Sequence, residues 1–92
     1  MRVKEGCVLC FPDQPVYLQG DNWRIIIAPD DPNHYLLCPK EHLPCTGAGL
    51  ARCGDIFEAI EGITWPMEIV VHLNGFHLGL PHHLHIHLYR RE

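Results

Sequence analysis

Apolar and polar positions alternate most clearly near the carboxyl end of the chain. There His83, His85 and His87 interleave with Leu84, Ile86 and Leu88, a period of two that predicts a strand with two unlike faces. The strand is expected over residues 82–89, its leucines and isoleucine anchored in a core and its three imidazoles together on the other side. Four more strands follow from similar patterns. Val16-Tyr17-Leu18 and Trp23 to Ile27 read as a hairpin joined at Gln19-Gly20-Asp21-Asn22, residues suited to a turn. Pro29 and Pro32 interrupt the pattern, because prolines so close together cannot continue a central strand. His34 to Cys38 resumes as a third strand ending at Pro39, and Met67 to Leu73 forms a fourth.

One helix is expected, from Gly49 to Ile60. Leu50, Cys53, Ile56, Phe57 and Ile60 recur at offsets of three and four and would form one apolar stripe against the sheet. Thr46 or Gly47 can start it and Gly62 can end it, while Gly54 weakens it by about 1 kcal/mol relative to alanine. Five strands, a hairpin, one main helix and no βαβ alternation predict an α+β fold with a mainly antiparallel sheet.

At 92 residues the chain has room for one core, so residues 1–92 are expected to form a single domain. A formal charge of -4 argues against a nucleic-acid polymer as partner, since such binding needs a basic surface. No apolar run is long enough to cross a membrane, and Met1 to Glu5 opens no signal peptide, which points to a cytoplasmic protein. Five cysteines are an odd number. Cys7 and Cys10 have the spacing of a metal or redox pair, and Cys38, Cys45 and Cys53 read as small buried or free thiols. A thioredoxin-like redox use needs a strand before the pair, and none precedes it.

Three imidazoles on one strand face, successive ones about 6.5 to 7 Å apart, can converge on one metal ion or on one phosphate and its leaving group. The plainer alternative, three buried structural histidines, needs three unrelated hydrogen-bond partners. Elsewhere the plain readings are stronger. His72 suits a half-buried sheet position, His77 a loop, His82 the face opposite the triad, and His42 by itself a surface site after a strand. Trp23, Ile25 and Ile27 share one strand face, which either walls a purine pocket or is ordinary core.

His83-Leu84-His85-Ile86-His87-Leu88-Tyr89 resembles the His-φ-His-φ-His-φ-φ signature of the histidine triad, or HIT, superfamily. Pro32-Asn33-His34-Tyr35-Leu36-Leu37-Cys38-Pro39-Lys40-Glu41-His42 is similar to a second family segment, and Asn74-Gly75 to Gly79 resembles the loop before the triad. The resemblance implies a HIT-like five-stranded antiparallel sheet with a helix across one face, usually in a homodimer. It also implies a nucleotide or nucleotide conjugate as partner, hydrolysed or transferred through attack of the middle histidine on the α-phosphate. On that pattern His85 is the nucleophile and His34 fixes neighbouring tautomers; by their chemistry His87 can stabilise developing charge and His83, unless a metal occupies it, is the proton donor. Asn74 and Gly79 would hold phosphate and Asp30 the ribose, while Trp23 and Ile25 are the base-binding candidates from their shared strand face alone. Leu80 departs from the pattern, which has glutamine there.

Some relatives also carry a zinc site, and by that resemblance Cys7, Cys10, His42 and His83 would be its four ligands. Zinc would then pin an amino-terminal arm, residues 1–15, to the triad strand, and His83 would be structural and not the acid. Two other functions compete with the enzyme. One is a zinc-stabilised module that binds a nucleotide or a protein without turnover; the other is a catalytic or transport metal held by the triad itself.

Overall fold

The computed structural model describes residues 3, 5, 7, 9–71 and 83–91. Five strands, β1 (Val16–Gln19), β2 (Trp23–Ile27), β3 (His34–Pro39), β4 (Met67–Val71) and β5 (Ile86–Arg90), form one sheet in the order β1-β2-β3-β5-β4. Every pairing is antiparallel. The β1–β2 hairpin closes through the Gly20 N–H, which donates to the Trp23 carbonyl at 3.0 Å. Glycine is needed there, since a Cβ on residue 20 would lie 2.6 Å from the Trp23 indole.

Strand alternation sorts the apolar residues into two cores. On one face Trp23, Ile25, Tyr35, Leu37, Leu84, Ile86 and Leu88 pack together with Leu43, Cys45, Cys53, Ile56 and Ala59 from the segment between β3 and β4. On the other, Ile26, Ala28, Leu36 and Cys38 pack under Leu9 and Cys7 of the amino-terminal arm. The arm thus covers the face where the triad imidazoles lie.

Two elements differ from their sequence-based form. The helix expected over 49–60 is two short pieces, α1 (Gly47–Ala51) and α2 (Glu58–Glu61). From the end of α1 into α2 the N–H groups of Arg52, Cys53, Ile56, Glu58, Ala59 and Ile60 each donate to the carbonyl three residues earlier. Such tight turns stack side chains at i and i+3. Cys53, Ile56 and Ala59 therefore point inward, whereas Phe57, assigned to the stripe by a 3.6-residue period, is 45% exposed. The ends are where expected: Thr46 Oγ1 accepts from the Gly49 N–H at 3.1 Å, and Gly62 closes α2.

The last strand is shorter than expected, because its pairing with β3 stops before β3 does. β3 pairs with β5 only as far as Leu37 opposite Ile86, and β3 ends at Pro39, which has no N–H to offer. Residues 83–85 continue past the ladder, with the Leu84 N–H donating to the Leu43 carbonyl at 2.9 Å. In β4, the predicted residues 72 and 73 lie outside the described part of the chain.

Candidate functional site

Continuing the strand's alternation beyond its ladder puts Leu84, Ile86 and Leu88 in the first core, each without exposed surface. His83, His85 and His87 turn to the opposite side, where His87 stands across from Leu36 of the second core. The rings of His85 and His87 are 5.1 Å apart and nearly perpendicular. All three histidines are buried, His85 with 0% of its surface exposed.

Each ring has a defined hydrogen-bond partner that constrains its proton. His85 Nδ1 lies 2.9 Å from the main-chain oxygen of His83. A carbonyl only accepts, so His85 carries its proton on Nδ1, and the neutral ring has its lone pair on Nε2. His83 Nε2 lies 2.9 Å from the Pro39 carbonyl oxygen, so the same reasoning leaves the His83 lone pair on Nδ1. Neutral imidazole is also the form that burial favours, holding the His83 pKa down to about 4.

His83 Nδ1 faces a second cluster. It lies 3.3 Å from Cys7 Sγ, 3.5 Å from Cys10 Sγ and 3.2 Å from His42 Nδ1, and Cys10 Sγ is 3.4 Å from His42 Nδ1. The four donor atoms lie within 4.8 Å of one another. Two thiols and two imidazole nitrogens so gathered could hold a metal ion, and the Pro39 carbonyl orients one ligand through its second nitrogen, as metal-binding histidines commonly require. The knuckle is a tight turn, its Phe11 N–H donating to the Cys7 carbonyl at 3.1 Å. None of the five cysteines is in a disulfide. Cys38 is a buried, unreactive thiol, pushed up to about 12 by burial, and Cys53 likewise to about 11.

His34 joins the triad from β3. Its Nε2 is 2.8 Å from His87 Nδ1 and its Nδ1 is 2.9 Å from Asp30 Oδ1. Its ring lies nearly parallel to two neighbours, Tyr89 at 4.5 Å and His87 at 5.1 Å. The Asp30 carboxyl is held below the usual range, chiefly by its hydrogen bond from His34.

Other predicted residues fall elsewhere. Trp23 and Ile25 are in the first core with Leu84, Ile86 and Leu88, on the face away from the imidazoles, so these two positions are not brought to the triad. Asn74, Gly79, His72, His77, Leu80 and His82 lie outside the described residues. Sequence reasoning missed the contact of Asp30 with His34 and the stacking of Tyr89. The first was signalled by a four-residue spacing across the Pro29 to Asn33 turn, the second by nothing before strand register was known.

A search of solved structures finds a match to a histidine triad protein from Clostridium difficile, with a TM-score of 0.74 and 16% identity. It covers 98% of this chain and 94% of that one. This chain has the histidine triad fold. No family model matches the sequence, and no curated protein does, so the likeness rests on three-dimensional structure. Among the described residues, no helix of this histidine triad fold is long and apolar enough to cross a membrane.

Proposed function

We propose that the chain is a cytoplasmic nucleotide hydrolase or nucleotidyltransferase that works through a nucleotidyl-histidine intermediate. The observation that carries this reading is the His85 Nδ1 to His83 carbonyl bond, which in the neutral ring puts the lone pair on Nε2, beside His87. Neutral imidazole is a usable nucleophile at pH 7. In the first step His85 Nε2 forms a bond to the α-phosphorus as the bond to the leaving group breaks, and the leaving atom takes a proton from protonated His87. In the second step water, or another hydroxyl acceptor, forms the P–O bond as the P–N bond breaks, and neutral His87 takes the acceptor's proton. His85 is regenerated with its proton still on Nδ1. Both steps depend on positioning and on hydrogen bonds to the phosphoryl oxygens.

His83 is assigned to the metal and not to acid catalysis, since one of its nitrogens serves Pro39 and the other faces Cys7, Cys10 and His42. Zinc is the ion best supported. Two cysteine sulfurs and two imidazole nitrogens are a usual zinc donor set, and here four of their six separations run from 3.2 to 3.5 Å, with all four atoms within 4.8 Å of one another. The ion would supply no reaction step; it would tie the arm to the triad strand. Reduced cysteines suit the cytoplasm. A homodimer is supported by the outer strand β4, which exposes Ile69 and Val71.

The test is turnover of a fluorogenic adenosine phosphoramidate by the wild-type protein and by His85→Ala. The substitution is expected to lower kcat/KM at least about a thousandfold; equal turnover would remove His85 from the reaction. A second reading, a module that binds a nucleotide or protein without turnover, is favoured by the complete burial of His85, since an α-phosphate reaches that ring only when the site opens. Nucleotide binding by calorimetry without hydrolysis would select it.

A further inference from the structure

The contacts of Asp30, His34 and His87 admit one neutral arrangement of protons. Asp30 is an acceptor, so the 2.9 Å contact to His34 Nδ1 requires the proton to be on that nitrogen. His34 Nε2 is then an acceptor as well, and its 2.8 Å neighbour, His87 Nδ1, must be the donor. The His87 lone pair is left on Nε2.

Ring orientation along this line is already settled by packing. His34 stands opposite Tyr89 in the β3–β5 ladder, as Leu36 stands opposite His87, and the three rings His34, His87 and Tyr89 are within 15° of parallel. With the rings held, which nitrogen of each imidazole bears the proton is still open, and the carboxylate at the outer end constrains that choice through His34. The carboxylate oxygen that the family resemblance would give to a ribose is here directed at His34.

We propose that Asp30 is a positioning residue that, acting through His34, keeps the His87 proton on Nδ1 and so makes Nε2 the atom that takes up and returns protons. The proposal rests on the reading of His87 given above as regards its use in the reaction, but the relay itself is a property of the free protein. When His87 is protonated it gives up the Nε2 proton to the leaving atom and keeps Nδ1–H bonded to His34. When water attacks, the proton returns to Nε2. No step asks His34 or Asp30 to exchange a proton with the substrate.

The experiment is two-bond proton–nitrogen spectroscopy of the full chain labelled in its histidines, with metal bound, without substrate, at a pH where the imidazoles are neutral. Wild-type His34 and His87 are expected in the Nδ1–H form. Asp30→Ala should shift the His87 tautomer ratio about fivefold toward Nε2–H, the change a typical hydrogen bond imposes, and Asp30→Asn, whose amide oxygen still accepts, should restore it. Because the Asp30 side chain is 66% exposed, both variants keep the core, with unchanged His83 and His85 signals as the control. On the phosphoramidate, Asp30→Ala should lower kcat with KM unchanged. Identical tautomers in wild type and Asp30→Ala would overturn the proposal, and so would a rise in KM alone, which would return Asp30 to a substrate-binding role. The spectra decide the relay even in a chain that turns nothing over.

Discussion

The main-chain carbonyl of His83 accepts the Nδ1–H of His85 at 2.9 Å, while the His83 ring presents Nδ1 to Cys7, Cys10 and His42. One residue therefore orients the candidate nucleophile with its backbone and meets the metal cluster with its side chain. The triad strand has left its ladder at this point, so these contacts replace sheet pairing in holding residues 83–85.

Metal content should follow the cysteines and not the central histidine. Purified protein is expected to carry about one zinc per chain. Cys7→Ser should lose it and lower the Tm by more than roughly 10 °C, the scale of a few kcal/mol in a chain this short. His85→Ala should keep it. The reverse pattern, by elemental analysis, would put the ion on the triad instead.

Acid should destabilise the metal-free fold through His83. Burial holds its folded pKa at about 4, below the ordinary 6.5, so between those values the unfolded chain binds the extra proton. Stability from this group is whole above about pH 6.5, falls as the pH drops toward 4 and levels off below. Metal bound at the same ring competes with protons in the same direction. Urea midpoints of the metal-free protein at pH 7 and pH 4.5 should differ by more in wild type than in His83→Gln, and an equal difference would remove His83 as the cause.

The tight turns between α1 and α2 separate two neighbouring apolar residues. Ile56→Ala, at a position 1% exposed, should cost about 2 to 4 kcal/mol. Phe57→Ser, at a position 45% exposed, should change stability by less than about 0.5 kcal/mol. Comparable losses in urea unfolding would restore the continuous helix, in which both side chains face the sheet.

Gly49→Ala should destabilise the chain although alanine is the better helix former by about 1 kcal/mol. A Cβ at residue 49 would collide with the Pro44 carbonyl oxygen, and backbone cannot yield as a flexible side chain does. A net loss of about 1 to 3 kcal/mol is expected from chemical unfolding. A gain in stability would show that the 44–49 approach is not held this closely.

Local chemistry determined much of this protein on its own. Two-residue alternation marked the sheet and assigned Leu84, Ile86 and Leu88 to one side and the three imidazoles to the other, because in an extended chain that choice is made residue by residue. Turn and cap residues such as Gly20, Thr46 and Gly62 also act within a few positions, so their roles were visible in sequence. The four metal donors could be listed through a resemblance, since donor chemistry belongs to the residue type. Tertiary structure decided the rest. Whether 49–60 is one helix or two depends on how closely that segment fits Pro44 and the sheet. Where β5 begins depends on where its pairing with β3 stops, opposite Leu37. The proton positions on His34, His83, His85 and His87 depend on partners from residue 30 to residue 83, distances that only the folded chain can set.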